Sequence, residues 1–203
     1  IIERQLKILK KVFKKIIIVT NQPYKSRSFY KMVHSSNNKG RDKYKLRSVK
    51  VIQDIVKNCG PLGGIYSGLE KSDSFYNFVV SCDTPFLNLD FIRYMSRLKD
   101  GFDVVIPKFK KGYETLFAIY SKNCIWPIYE ILKYAFSTTK KNYKPRTPGL
   151  NSDNLRVTNF FNKVKLRAIK KEEISKFVDP NILFMNINTR EDLAILKKIQ
   201  GVL

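Results

Sequence analysis

The stretch Phe75-Tyr76-Asn77-Phe78-Val79-Val80-Ser81-Cys82-Asp83-Thr84-Pro85-Phe86 decides how this chain is read. Residues 75–82 form a largely apolar run of strand length, and it stops at Asp83-Thr84-Pro85, where proline turns the chain away. Strands that are apolar throughout, rather than alternating, are those covered on both faces, as in a sheet lying between two helical layers. The same pattern recurs on either side. Ile16, Ile17, Ile18 and Val19 form a β-branched run ending at Thr20-Asn21. Val49 to Ile52 is a short run ending near Asp54, and residues 103–107, 115–120 and 166–169 read as further strands, with a last one at 183–187.

Helical spacing fills the intervals. Ile2, Leu6, Leu9 and Phe13 lie on one apolar stripe, as do residues of 89–98 and the set Ile125, Ile128, Leu132 and Phe136. Gly60-Pro61-Leu62-Gly63-Gly64 is expected to break the chain and lead into a helix over 65–71. A short helix is expected around Phe160, Phe161 and Val164. Thr189 is placed to cap a final helix carrying Leu193, Leu196 and Ile199, with Asp192 at the capping-box position. Residues 22–46 are polar, basic and weakly periodic, so a short helix and an exposed loop are expected there; residues 137–154, with Pro145, Pro148, Gly149 and several lysines, are expected to form an irregular insertion.

Strands alternating with helices predict a single α/β domain over residues 1–203, three-layered, with a mostly parallel sheet. In such folds ligands sit beyond the carboxyl ends of the strands. The residues at those ends are Asn21, Asp54, Asp83 and the pair Asn186 and Asn188, which flank Ile187 and would face the same way on a strand.

Composition narrows the chemistry. The 203 residues are 43% hydrophobic and carry 39 Lys and Arg against 17 Asp and Glu, a formal charge of +22. The basic residues are dispersed along the chain, which argues for a general lysine bias over a nucleic-acid stripe. His34 is the single histidine, so histidine-based metal sites and Ser/His/Asp chemistry lose their basis. Cys59, Cys82 and Cys124 are too few and scattered for a disulfide framework, and Cys59 and Cys124 are expected to be small core residues. No apolar run reaches membrane-span length, and a cytoplasmic location is the expectation.

Asp83 is the residue best placed for chemistry. A carboxylate at a sheet edge suits Mg²⁺, which takes one or two carboxylates together with phosphate and water oxygens. The alternative is an Asp that only opens a turn. Gly60, Pro61, Gly63 and Gly64 before a helix offer backbone N–H groups and close approach to a ligand, or simply a tight connection.

In their order, these segments resemble the molybdenum cofactor guanylyltransferase family of nucleotidyltransferases. The likeness is carried by Ile16 to Asn21, Asp54, the Gly60-to-Gly64 loop, Cys82-Asp83-Thr84-Pro85-Phe86, Thr115-Leu116-Phe117-Ala118-Ile119-Tyr120, and Phe184-Met185-Asn186-Ile187-Asn188-Thr189. The resemblance implies a Rossmann-like fold and transfer of GMP from GTP to molybdopterin, with release of pyrophosphate. It implies that Asn21 and Asp54 contact the guanine nucleotide and that residues 60–64 shape its side of the cleft. Asp83 would bind Mg²⁺ and phosphates, and Asn186 and Asn188 would face molybdopterin. Other molybdenum cofactor biosynthesis proteins are implied partners. The family's first strand and glycine-rich, lysine-bearing loop have no counterpart in residues 1–203, so the chain as written is expected to bind GTP weakly and turn over little. Two alternatives share parts of the pattern: a sister enzyme moving CMP or another nucleotide onto a sugar, polyol or pterin, and a non-enzymatic basic protein that binds nucleic acid.

Overall fold

The computed structural model describes residues 1–21, 49–138 and 152–185. In chain order the elements are α1 (Ile2–Leu9), β1 (Ile16–Thr20), β2 (Val49–Gln53), α2 (Gly60–Lys71), β3 (Tyr76–Val80), α3 (Leu89–Arg97), β4 (Val104–Phe109), β5 (Gly112–Tyr113), β6 (Phe117–Ser121), α4 (Ile125–Thr138), β7 (Leu166–Ile169), α5 (Lys171–Ile174) and α6 (Pro180–Leu183). Three-residues-per-turn segments occupy Lys122–Cys124, Ser152–Leu155 and Val157–Lys163; the last is the short helix expected around Phe160.

Successive side chains of β4 and β6 enter two different cores, as the period of two along a strand requires. Val104, Ile106, Ala118 and Tyr120 pack with α2 and α4, against Leu62, Ile65, Leu69, Ile128 and Leu132. Val105, Phe117 and Ile119 pack on the opposite face with Leu9 of α1, Phe91, Ile92 and Met95 of α3, Ile174 and Leu183. The sheet is therefore covered on both faces, and the three-layer expectation holds. Cys59 and Cys124 are buried in the first core, the place expected for them.

Strand direction is mostly uniform. β1 pairs with β2 in parallel, and β4 with β7 in parallel. β6 runs antiparallel to both β3 and β4, so β3 and β4 point the same way. β5 adds a two-residue antiparallel ribbon to β4. Among the described residues the strands fall into two groups, β1-β2 and β3-β6-β4 with its flanks; no ladder joins β1 to β3.

The helices bind the two groups together. The N-terminal part of α1 lies over the carboxyl end of β3, where Gln5 Nε2 donates to the Ser81 and Thr84 carbonyls at 2.7 Å each. The segment after α1 runs back along the same strand: Phe13 stacks on Phe78 in the middle of β3 at 5.7 Å, and Lys15 meets Asp73, ahead of the strand, at 2.8 Å. The chain thus returns to the beginning of β1 beside the beginning of β3, and both strands deliver their carboxyl ends to one edge.

Two expectations are corrected. Residues 60–64 form no open loop: α2 begins at Gly60 itself. Pro61 lies in the first turn, where its missing N–H costs nothing, and Gly60 takes φ +54°. Gly63 is required by contact, since a Cβ there would lie 3.0 Å from both the Cys59 Cβ and the Val56 carbonyl. The strand expected over 183–187 is also absent from its described part, because Leu183 ends α6, Phe184 is in a turn and Met185 has no regular structure. Asp179 accepts from the Asn181 N–H at 2.8 Å and Pro180 follows it, a helix start that overrides the β-favouring run. Asn186, Asn188 and the final helix after Thr189 lie outside the described residues.

Candidate functional site

The carboxyl edge gathers the predicted residues into two neighbourhoods. In the first, parallel pairing sets the ends of β1 and β2 side by side, and Gln53 Nε2 donates to the Asn21 carbonyl at 3.3 Å. Asn21 is exposed. Asp54 follows β2 and abuts α2: a Cβ at Gly64 would stand 3.8 Å from Asp54 Oδ1. Ser67, one turn further along α2, accepts from the Ile55 N–H at 2.9 Å and donates to the Gly63 carbonyl at 2.8 Å, fixing the chain after Asp54 against the helix. Asn21, Asp54, Gly63 and Gly64 thus lie together at this edge. Gly60 and Pro61 stand at the exposed start of the same helix.

Asp54 Oδ1 is buried with no hydrogen-bond partner. Burial pushes the Asp54 carboxyl above its ordinary value of 3.8, against the opposing pull of the Ser67 hydroxyl, and the same burial with the nearby Asp54 charge pushes the Cys59 thiol up. A raised carboxyl binds its proton more tightly in the folded state than in the unfolded chain. Stability is therefore lost as pH rises from the ordinary carboxylate value through the raised one. Asp54→Asn removes the charge, and is expected to stabilise the fold by about 1 kcal/mol at neutral pH, with the gain shrinking towards pH ~4. Thermal unfolding of both proteins across that range checks it; an Asn variant less stable at neutral pH would contradict the assignment.

The second neighbourhood surrounds Asp83. The residues after β3 are tied down by the two Gln5 bonds and by a 2.7 Å contact between the Ser81 and Thr84 hydroxyls. Asp83 Oδ1 is buried and, like Asp54 Oδ1, has no partner. Beside it is a cavity of about 180 Å³ lined by Ser81, Asp83, Thr84, Tyr113, Glu114 and Thr115, with Leu116, Phe117 and Phe184 as its apolar wall.

Sequence reasoning missed Gln5 and Glu114. Gln5 is only 4% exposed on the apolar stripe of α1, and a polar residue on that stripe was the available signal. Glu114 lies in the turn between β5 and β6 rather than at the end of an apolar strand, so no local pattern marks it. Because β6 is antiparallel, Phe117 at its start pairs with Val80 at the end of β3, and Ser81 N–H donates to the Leu116 carbonyl at 3.0 Å. The turn bearing Glu114 is thereby brought to the same edge as Asp83. Burial pushes the Glu114 carboxyl up from its ordinary value.

A doubly covered, mostly parallel sheet with polar side chains and a cavity at its carboxyl edge defines an α/β domain of the kind that binds ligands beyond its strand ends. The chain belongs to the family described as the MobA-like NTP transferase domain, which it matches over residues 1–141. It is 37% identical over 123 residues to a probable molybdenum cofactor guanylyltransferase of Clostridium perfringens, covering 61% of this chain and 52% of that protein. A probable molybdenum cofactor guanylyltransferase of Peptoclostridium acidaminophilum is 32% identical over 192 residues, 91% of this chain and 71% of that one. The crystal structure of molybdopterin-guanine dinucleotide biosynthesis protein A from Archaeoglobus fulgidus shares the fold, with a TM-score of 0.66 and 20% identity across 98% of this chain and 86% of that one. The chain spans 52% of the length of the Clostridium relative and 62% of that of a Pelotomaculum one. Among the described residues no helix is long and apolar enough to cross a membrane.

Proposed function

We propose that the protein transfers GMP from GTP to molybdopterin with release of pyrophosphate, in a Mg²⁺-dependent reaction. Several relatives of this chain bear the name molybdenum cofactor guanylyltransferase, and the observation that carries the reading is Asp83. A buried carboxylate oxygen left without a partner, just beyond the carboxyl end of β3 and beside a cavity, suits a hard cation. Among the described residues no cluster of three or more His, Cys, Asp or Glu side chains forms a metal cage. The fit is thus to a cation that completes its shell from phosphate and water, as Mg²⁺ does. Bound there, Mg²⁺ would supply positive charge against the developing negative charge on the phosphates.

The chain's own groups divide the remaining work. Asn21 and Asp54, with Gly60, Pro61, Gly63 and Gly64 at the head of α2, hold the guanine nucleotide. Asp54 accepts hydrogen bonds from it through the oxygen that has no partner within the protein. Asn186 and Asn188 are assigned to the molybdopterin side on the resemblance alone. Catalysis then consists mainly of aligning the acceptor phosphate with the α-phosphate.

The test is a thermal-shift series on the full-length protein with Mg²⁺ and GTP, CTP or ATP, followed by an assay of GMP transfer to molybdopterin. Stabilisation by GTP and formation of the guanylylated product are the expected results. Stabilisation by CTP alone would reject guanylyl transfer in favour of a cytidylyl enzyme.

A further inference from the structure

We propose that Glu114 recognises the acceptor, its carboxyl group taking a hydrogen bond from an N–H or O–H donor on the part of the molecule that enters the cavity beside Asp83. The proposal rests on the group-transfer reading above and adds to it a residue outside the sequence motifs.

The first support is the contrast between Glu114 and other partly buried acids. Asp103 accepts from Ser121, Asn123 and the Lys165 N–H. Glu173 accepts from Tyr94, Arg167 and the Lys170 N–H. Those carboxylates stitch elements together. Glu114 lines the cavity, and among the described residues no hydrogen bond or ion pair reaches its carboxyl group. A half-buried acid without a partner is unfavourable for the fold, and a ligand donor in the cavity would satisfy it.

The second support is placement. The backbone bond from Ser81 to Leu116 and the Val80–Phe117 pairing fix the Glu114 turn against the chain that carries Asp83. A molecule bound to Glu114 therefore lies within one small cavity of the carboxylate proposed to organise the phosphates.

The third is the character of the rim. The ribbon leading into Glu114 exposes Lys108, Lys110 and Lys111, and Lys108 Nζ stands 5.3 Å above the ring of Tyr113, which itself lines the cavity. A carboxyl group inside and lysines outside suit an acceptor with a hydrogen-bond-donating head and an anionic tail. A pterin bearing a phosphate has both.

The experiment separates this from the parent reading. In the full-length protein Glu114→Ala should raise the KM for molybdopterin at least about tenfold and leave the KM for GTP within about twofold, with Glu114→Gln recovering part of the loss. An unchanged molybdopterin KM in a variant that still melts cooperatively, or an equal rise in both KM values, overturns the proposal. Should the wild-type protein transfer no GMP to molybdopterin, the group-transfer reading falls separately. Fluorescence titration with free 6-hydroxymethylpterin then decides about Glu114: binding by wild type that is lost in Glu114→Ala supports it. Equal binding by both proteins, or none by wild type, overturns it.

Discussion

Asp83→Ala is expected to abolish Mg²⁺-dependent GTP binding and to lower GMP transfer by at least about a hundredfold, the scale on which single electrostatic contributors to group transfer act. The same substitution should leave the melting temperature unchanged or slightly higher. In the folded protein Asp83 Oδ1 is buried without a partner, so the substitution breaks no hydrogen bond at that atom. The surrounding turn is held by other groups, Gln5, Ser81 and Thr84, which the substitution leaves in place. Asp83→Asn keeps the shape and removes the charge, so it should match the alanine variant in activity. Isothermal titration with GTP, with and without Mg²⁺, and calorimetric melting make the comparison. A variant that binds GTP and Mg²⁺ as wild type does would reduce Asp83 to the residue that opens a turn, the alternative its position after β3 allows. A variant that simply unfolds would show that the side chain is structural, against the bonding seen around it.

The absence of a packing role for these carboxylates also explains which parts of the candidate site were legible in the sequence. Asp54 and Asp83 were legible because an apolar parallel strand advertises its end, and a carboxylate there has no packing role. The helix before Phe13 and the strands at 16–20, 49–53, 76–80 and 104–109 were legible for a related reason, since helical spacing gives way to continuous apolar runs of strand length. Residues 60–64 misled because glycine and proline signal a break, while here they begin a helix: proline at the first turn and a glycine pressed against Cys59 are compatible with helical geometry. Residues 183–185 misled because the Asp179-Pro180 start lies outside the apolar run and controls it. Glu114 was invisible for a topological reason. No local pattern says that β6 runs antiparallel to β3, and only that reversal brings the start of one strand to the end of the other.

The substitution expected to cost the fold most is Phe91→Ala. Phe91 is fully buried on α3 and stacks at 6.0 Å on Phe117, with Tyr94 at 6.4 Å and Phe177 at 5.9 Å. Truncating such a ring forfeits its burial and leaves a void that neighbours fill incompletely, about 3–5 kcal/mol. Native domains hold only about 5–15 kcal/mol in total. For a chain of this length the melting temperature should fall by roughly 10 °C, and Phe91→Leu should lose less because it refills part of the space. The effect is not confined to the core. Phe117 forms part of the cavity wall, stacking on Phe91 from one side and meeting Phe184 edge-on at 5.2 Å. The Phe91 N–H also donates to the Asn88 cap at 2.8 Å, where the chain from Asp83 enters α3. Loosening Phe91 should therefore weaken acceptor binding well below the melting transition, together with the Mg²⁺ and phosphate contacts assigned to Asp83. The nucleotide side rests instead on α2, which packs in the other core. Denaturant unfolding together with separate KM values for GTP and molybdopterin checks both parts. A stability loss under about 1 kcal/mol would mean that the aromatic stack does not carry this half of the sheet; unchanged KM values in a destabilised variant would mean that the stack does not support the cavity wall.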